Sequence, residues 1–162
     1  MKIINYSFLG NGLIQIHLTG NRVVWVRRDE NSGQIVTRRK SPTLSNVQHT
    51  GIWLGIDVQT GQPLILHNHY NVGTVHVTSY HDYAYGQTVY LQGGRCANPP
   101  SRVLEIALVE AKAGKPYDVL LYNCQHLTNR ACHNRHHSED LAKWGMGFFG
   151  VACVVLIARA LG

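Results

Sequence analysis

A chain of 162 residues that is 44% hydrophobic and 15% charged describes one globular domain able to bury a core, and excludes a disordered chain. The net charge of +6 includes the early basic stretch Arg27, Arg28, Arg38, Arg39 and Lys40, which reads either as a solvated loop or as a surface for an anionic partner, nucleic acid or an acidic membrane. The first residues lack a signal-peptide layout, and four cysteines are too few and too irregular for a disulfide framework. A cytoplasmic or membrane-associated protein of a reducing compartment is therefore expected, with signal-independent export left open.

The first half has the period of β-structure. Residues 13–18 alternate, 23–28 are β-branched and aromatic, and Gly33 turns the chain into 35–39. Residues 50–57 and 63–69 are separated by a short segment containing Gly61, which predicts a hairpin, and 73–79 and 88–92 predict further strands. Gly93, Gly94, Pro99 and Pro100 then break the pattern.

The second half is helical. Ser101 is a plausible cap for a helix through Lys112, with Val103, Leu104, Ala107, Leu108 and Ala111 at helical spacing. Gly114 and Pro116 end it. Asn123 is a good N-cap for a second helix with Leu127 and Ala131 on one face. The main domain is thus expected over 1–143 and a separate apolar helix over 144–162. The uncharged run 145–158 rises only about 21 Å as a helix, which favours a core-packing or membrane-associated tail over a full span.

Cys124 follows the Asn123 cap, where unpaired backbone N–H groups favour thiolate over thiol and can hold an oxyanion, the donors being Cys124 and Gln125. A cysteine after an asparagine is weak by itself. His49 adds a base: it opens the strand 50–55, on whose face Gly51 and Gly55 leave room for an approaching group. The hairpin brings His67 or His69 opposite, so parity allows either to orient His49 in a thiol triad.

The segments 47–55, 64–67 and 120–127 resemble the lecithin:retinol acyltransferase-like group of the circularly permuted NlpC/P60, papain-like superfamily. Members of that group carry a His-x-x-Ile-Tyr-x-Gly strand, a second His ending the next strand, and an Asn-Cys-Glu-His-Phe helix start. The resemblance covers about residues 20–135. It implies an α+β fold with an antiparallel sheet packed on helices, Cys124 as nucleophile, His49 as base and His67 as the polarising third member. It further implies acyl transfer through a thioester on glycerophospholipid esters, with no cofactor. Gln125 and Leu127 replace the acidic and aromatic residues of the common motif, and the long gap from His49 to His67 keeps His69 open as third member.

Three other readings compete. Relatives of the fold cleave peptide, isopeptide or cell-wall amide bonds. A metal-binding module could use Cys124, His126, Cys132, His133, His136 and His137, although no Cys-x-x-Cys pair is present. A non-catalytic nucleic-acid binder is disfavoured, because no aromatic residues interleave with the early arginines. Tyr80, Tyr83, Tyr85 and Tyr90 instead suit a pocket or the core.

Overall fold

Among the described residues the β-period of the first half resolves into eight antiparallel strands. The computed structural model of the chain describes residues 1–41, 44–92 and 96–135. The strands are β1 (Ile3–Phe8), β2 (Leu13–Leu18), β3 (Arg22–Arg27), β4 (Ile35–Ser41), β5 (Leu44–Asp57), β6 (Pro63–His69), β7 (Thr74–Ser79) and β8 (Tyr90–Gln92). They form one sheet in the order β1-β2-β3-β5-β4-β8, with β6 also on β5 and β7 beyond it. The helices are α1 (Tyr80–Ala84), α2 (Pro100–Ala113) and α3 (Cys124–His133). The fold is α+β, an antiparallel sheet packed against a few helices.

β6 shows why its sequence reads as a continuous apolar run rather than an alternating one: its five middle residues are all buried, so both faces of the strand are covered. Leu64 and Leu66 join a core shared with Ile52, Leu54, Val75 and Val77 and with Leu104, Leu108 and Leu127 of the two long helices. Ile65 belongs to a second cluster with Val36, Trp53 and Tyr83 on the opposite face. A one-residue slip of β6 would exchange these two sets and carry His67 into the helix-side core, so the register Ile52↔Leu66 and Trp53↔Ile65 is strongly specified.

Several boundaries differ from expectation for identifiable reasons. α2 begins at Pro100, and its N-cap is Pro99 with no side-chain cap bond, so Ser101 lies inside the first turn. Proline suits that position because its missing N–H is one the helix leaves unpaired in any case. Gly114 closes α2 in the left-handed conformation at φ 63°, as the sequence suggests. His49 lies within β5 rather than at its start. A bulge between Trp53 and Gly55 breaks the alternation that would set Gly55 on the face of His49; a Cβ at Gly55 would instead meet the Arg27 carbonyl.

Cys96 and Cys132 form a disulfide that ties the segment before α2 to the end of α3, against the expectation from cysteine spacing. Spacing gave no sign of it, because the pair is 36 residues apart and meets only once α3 has docked. The N–H groups of Ala97 and Asn98 both reach the Cys132 carbonyl at 2.9 Å, closing the helix end that the disulfide holds. Among the described residues no helix is long and apolar enough to cross a membrane. The apolar helix expected over 144–162 lies outside the described residues.

Candidate active site at the start of α3

The chain enters α3 through a built turn. Asp118 accepts from the N–H groups of Leu120 and Leu121 at 2.8 and 2.9 Å, which hold its carboxyl below the usual range. Asn123 then caps the helix: its Oδ1 accepts from the N–H of Gln125 at 2.9 Å and of His126 at 3.2 Å. His126 returns the bond by accepting the Asn123 N–H on Nδ1 at 3.3 Å, a capping box with histidine in the place glutamate usually takes. Cys124, the first helical residue, is a free thiol and 5% exposed.

Two side chains fix this helix start to the sheet. Asn68 of β6 donates to the Tyr122 carbonyl at 2.8 Å. Thr50 of β5 meets Thr128, one turn beyond Cys124, at 3.2 Å between hydroxyls. Each of these strand residues is the neighbour of a predicted catalytic histidine, His67 and His49 respectively.

The histidines sit on the other side of those two strands, beside Tyr83. His49 Nε2 and His67 Nδ1 are 2.7 Å apart, and both residues are 4% exposed. His69 lies edge-on to His49 with ring centroids 5.4 Å apart, and its Nδ1 accepts from the Asn71 N–H. His76 of β7 packs its ring 4.2 Å from that of His67. The Tyr83 hydroxyl donates to the carbonyls of Val36 and His49 at 3.0 and 2.9 Å, pinning the backbone that carries His49. Gly51 makes this possible, since a Cβ there would lie 3.1 Å from the Tyr83 ring and 2.7 Å from Ile65.

Electrostatics sets the charge of His67. Burial first, and then the neighbouring His76, His49, His69 and Arg38, drive the basicity of His67 well below that of an ordinary histidine. His67 is therefore neutral at neutral pH. One proton lies between His49 Nε2 and His67 Nδ1 in the 2.7 Å bond, and in the tautomer where His49 is the donor its lone pair is on Nδ1.

The charge of Cys124 reaches the same neighbourhood. It acts on Tyr83 and Tyr117, whose hydroxyls burial raises first and the Cys124 charge raises further, Tyr117 to about 12. It also acts on Arg38, where burial lowers the guanidinium's basicity and Tyr83, Cys124 and Tyr85 oppose that change. Arg38 pairs with His49 across β4 and β5.

A cavity of about 390 Å³ opens onto this cluster, lined among others by Arg38, His49, His67, His69, Tyr85 and Tyr117. Cys124 is not part of its wall. Of the two oxyanion donors expected, the Gln125 N–H is already held by the Asn123 cap, which leaves the Cys124 N–H as the donor of that pair. Sequence reasoning missed Arg38, His76 and Tyr117 as parts of the site, while Tyr83, expected in a pocket or the core, is a buried core residue beside it. Of those missed, Arg38 carried a legible signal, since period-two alternation places it on the face of Val36.

Of the competing metal cluster, Cys132 is taken by its disulfide and cannot act as a thiolate ligand, and His136 and His137 lie outside the described residues. Among the described residues no three His, Cys, Asp or Glu side chains converge as a metal shell. Of the early basic run, Arg38 is 7% exposed and turned into the cavity wall, so it does not contribute to a solvated basic surface. No protein-family model matches the chain, and no curated protein or solved structure matches it either.

Proposed function

We propose that the chain is a thiol acyl-transfer enzyme of the permuted NlpC/P60, papain-like kind, resembling the lecithin:retinol acyltransferase-like group and acting on glycerophospholipid esters. The observations that carry this reading are the 2.7 Å bond from His49 to a neutral, buried His67 and, across the same two strands, a capped helix start with a free cysteine whose charge acts on Tyr83, the neighbour of His49. A neutral acceptor fixes the tautomer of His49 and stabilises the imidazolium that forms when it takes a proton.

In the reaction the Cys124 sulfur would have to come within reach of His49, which lies across β5 from it in this structure, and His49 would then remove the thiol proton as the sulfur attacks the ester carbonyl. The carbonyl π pair moves to oxygen, which the Cys124 N–H receives. Collapse expels the alkoxide, which takes the proton back from His49 and leaves a thioester on Cys124. Water, an amine or an alcohol then attacks the thioester with His49 as base, releasing the acyl group and restoring the thiol.

A lipid rather than a peptide substrate is supported by Val119, Leu120 and Leu121, which are 57, 66 and 78% exposed in the turn that leads into the Asn123 cap. Three consecutive exposed apolar side chains beside the nucleophile suit contact with an acyl-chain surface.

The test is intact-mass analysis after incubation with phosphatidylcholine vesicles, with a peptide ester as the competing substrate. The expected result is one acyl adduct on Cys124, absent in Cys124→Ala and slowed by at least about 10²-fold in His49→Ala. Acylation of Cys124 by the peptide ester alone would replace the lipid assignment. Full lipid turnover by Cys124→Ala would end the thiol mechanism.

A further inference from the structure

We propose that Arg38 is the anion-binding residue of the cavity and receives the phosphodiester of the glycerophospholipid; the identity of the anion rests on the substrate reading above. Arg38 is 7% exposed and lines the cavity together with His49 and His67. Its Nη1 donates to the Arg39 carbonyl at 2.8 Å, and its guanidinium carbon lies 5.5 Å from the centre of the Tyr83 ring. Its Nε is buried and has no hydrogen-bond partner.

Among the described residues no carboxylate pairs with this cation. Asp82, the acidic residue on the same cavity wall, is bonded to Ser79 Oγ at 2.8 Å and lies 3.7 Å from the exposed His81. A buried guanidinium without a counter-ion is destabilising, and burial indeed lowers its basicity. Such a group persists where a ligand completes it.

Geometry identifies the ligand's chemistry. With Nη1 held by a backbone carbonyl, the edge that includes Nε remains, and that edge of the fork matches two oxygens of a phosphate. Arg38 stands opposite His49 in the β4–β5 register, so an anion held there would lie beside the base. The exposed Tyr85 at the cavity wall, 80% accessible, gives an aromatic surface next to the proposed anion.

The test uses the full chain carrying Cys124→Ala, so binding is read without acyl transfer and its failure is separable from failure of the thiol mechanism. sn-Glycero-3-phosphocholine, which has the phosphodiester and no acyl chain, is titrated against glycerol as the neutral control. Nitrogen-15 NMR of the Arg38 Nε–H group reports the contact directly. The expected result is a saturable shift of that signal with the phosphodiester and none with glycerol. Adding Arg38→Met to that chain is expected to weaken binding by about tenfold or more, and Arg38→Lys by less, since a charge remains without the fork. Equal binding with and without Arg38, an unmoved Nε–H signal at saturation, or equal response to glycerol would each overturn the proposal. The NMR reading needs no substitution at Arg38, so it decides the matter even where Arg38→Met fails to fold.

Discussion

Replacing His67 by phenylalanine separates a mechanistic role from a structural one, because the two effects differ in size. The ring is buried and packs 4.2 Å from His76, and phenylalanine of similar shape keeps that contact without opening a cavity. The substitution removes the 2.7 Å bond to His49, a net loss of about 1 kcal/mol. His49 Nε2 also loses that acceptor, which adds about 1–3 kcal/mol. Against this, His67 Nε2 is itself buried without a partner, and removing it returns about the same amount. The net destabilisation expected is about 1 kcal/mol, read by urea unfolding followed through tryptophan fluorescence. Acylation of Cys124, measured in a single turnover with a chromogenic ester, should fall by about 10³-fold, roughly 4 kcal/mol of barrier. A variant that acylates at the parent rate, or that loses more than about 3 kcal/mol of stability, would show His67 to be a packing residue and refute the tautomer reasoning.

Acid should destabilise the fold through His76, which burial, followed by the N-terminal ammonium, holds at about 4 instead of 6.5. The unfolded chain binds the extra proton between those values, so stability falls as pH drops below about 6.5 and the loss, about 3 kcal/mol, is complete near pH 4; His76→Gln should flatten this part of the urea-midpoint profile. Glu110→Gln should lose about 2–3 kcal/mol in urea unfolding, since the 3% exposed Glu110 carboxylate holds Arg130 Nε and the Tyr122 hydroxyl, each at 2.9 Å. The estimate sits below that for a fully buried pair because water reaches the 31% exposed Arg130. Asn123→Ala should cost about 1–2 kcal/mol by uncapping Gln125 and His126, and Asn123→Ser, which keeps an acceptor, should lose less in the same measurement.

Local chemistry made much of this fold legible. Asn123 caps α3, Gly114 ends α2, and β6 spans the residues its apolar run suggested, because each depends on neighbours within a few positions. β1 and α1 escaped notice for opposite reasons. β1 has the burial pattern of an edge strand, with one fully buried residue, Ile3, among mostly exposed ones, so its period is faint. α1 is five residues long, capped by Ser79 accepting from Asp82 N–H, and too short to show helical spacing.

The site divides along the same line. Asn-Cys at a helix start and histidines at equal parity on paired strands are short-range patterns, so Cys124, His49, His67 and His69 could be named as candidates. The choice of His67 over His69 as the partner of His49 rests on ring geometry, since parity treats the two alike. Arg38 is the more instructive case. Within a run of basic residues it looks like one charge among several, and mean charge points to a solvated surface. Strand alternation overrides that impression: Arg39 faces solvent while Arg38 turns to the face of Val36, Tyr83 and the histidines. A basic run on a strand is therefore two sets of residues with different partners. The buried set defines what the cavity can bind, and the exposed set can at most define what surface the protein approaches.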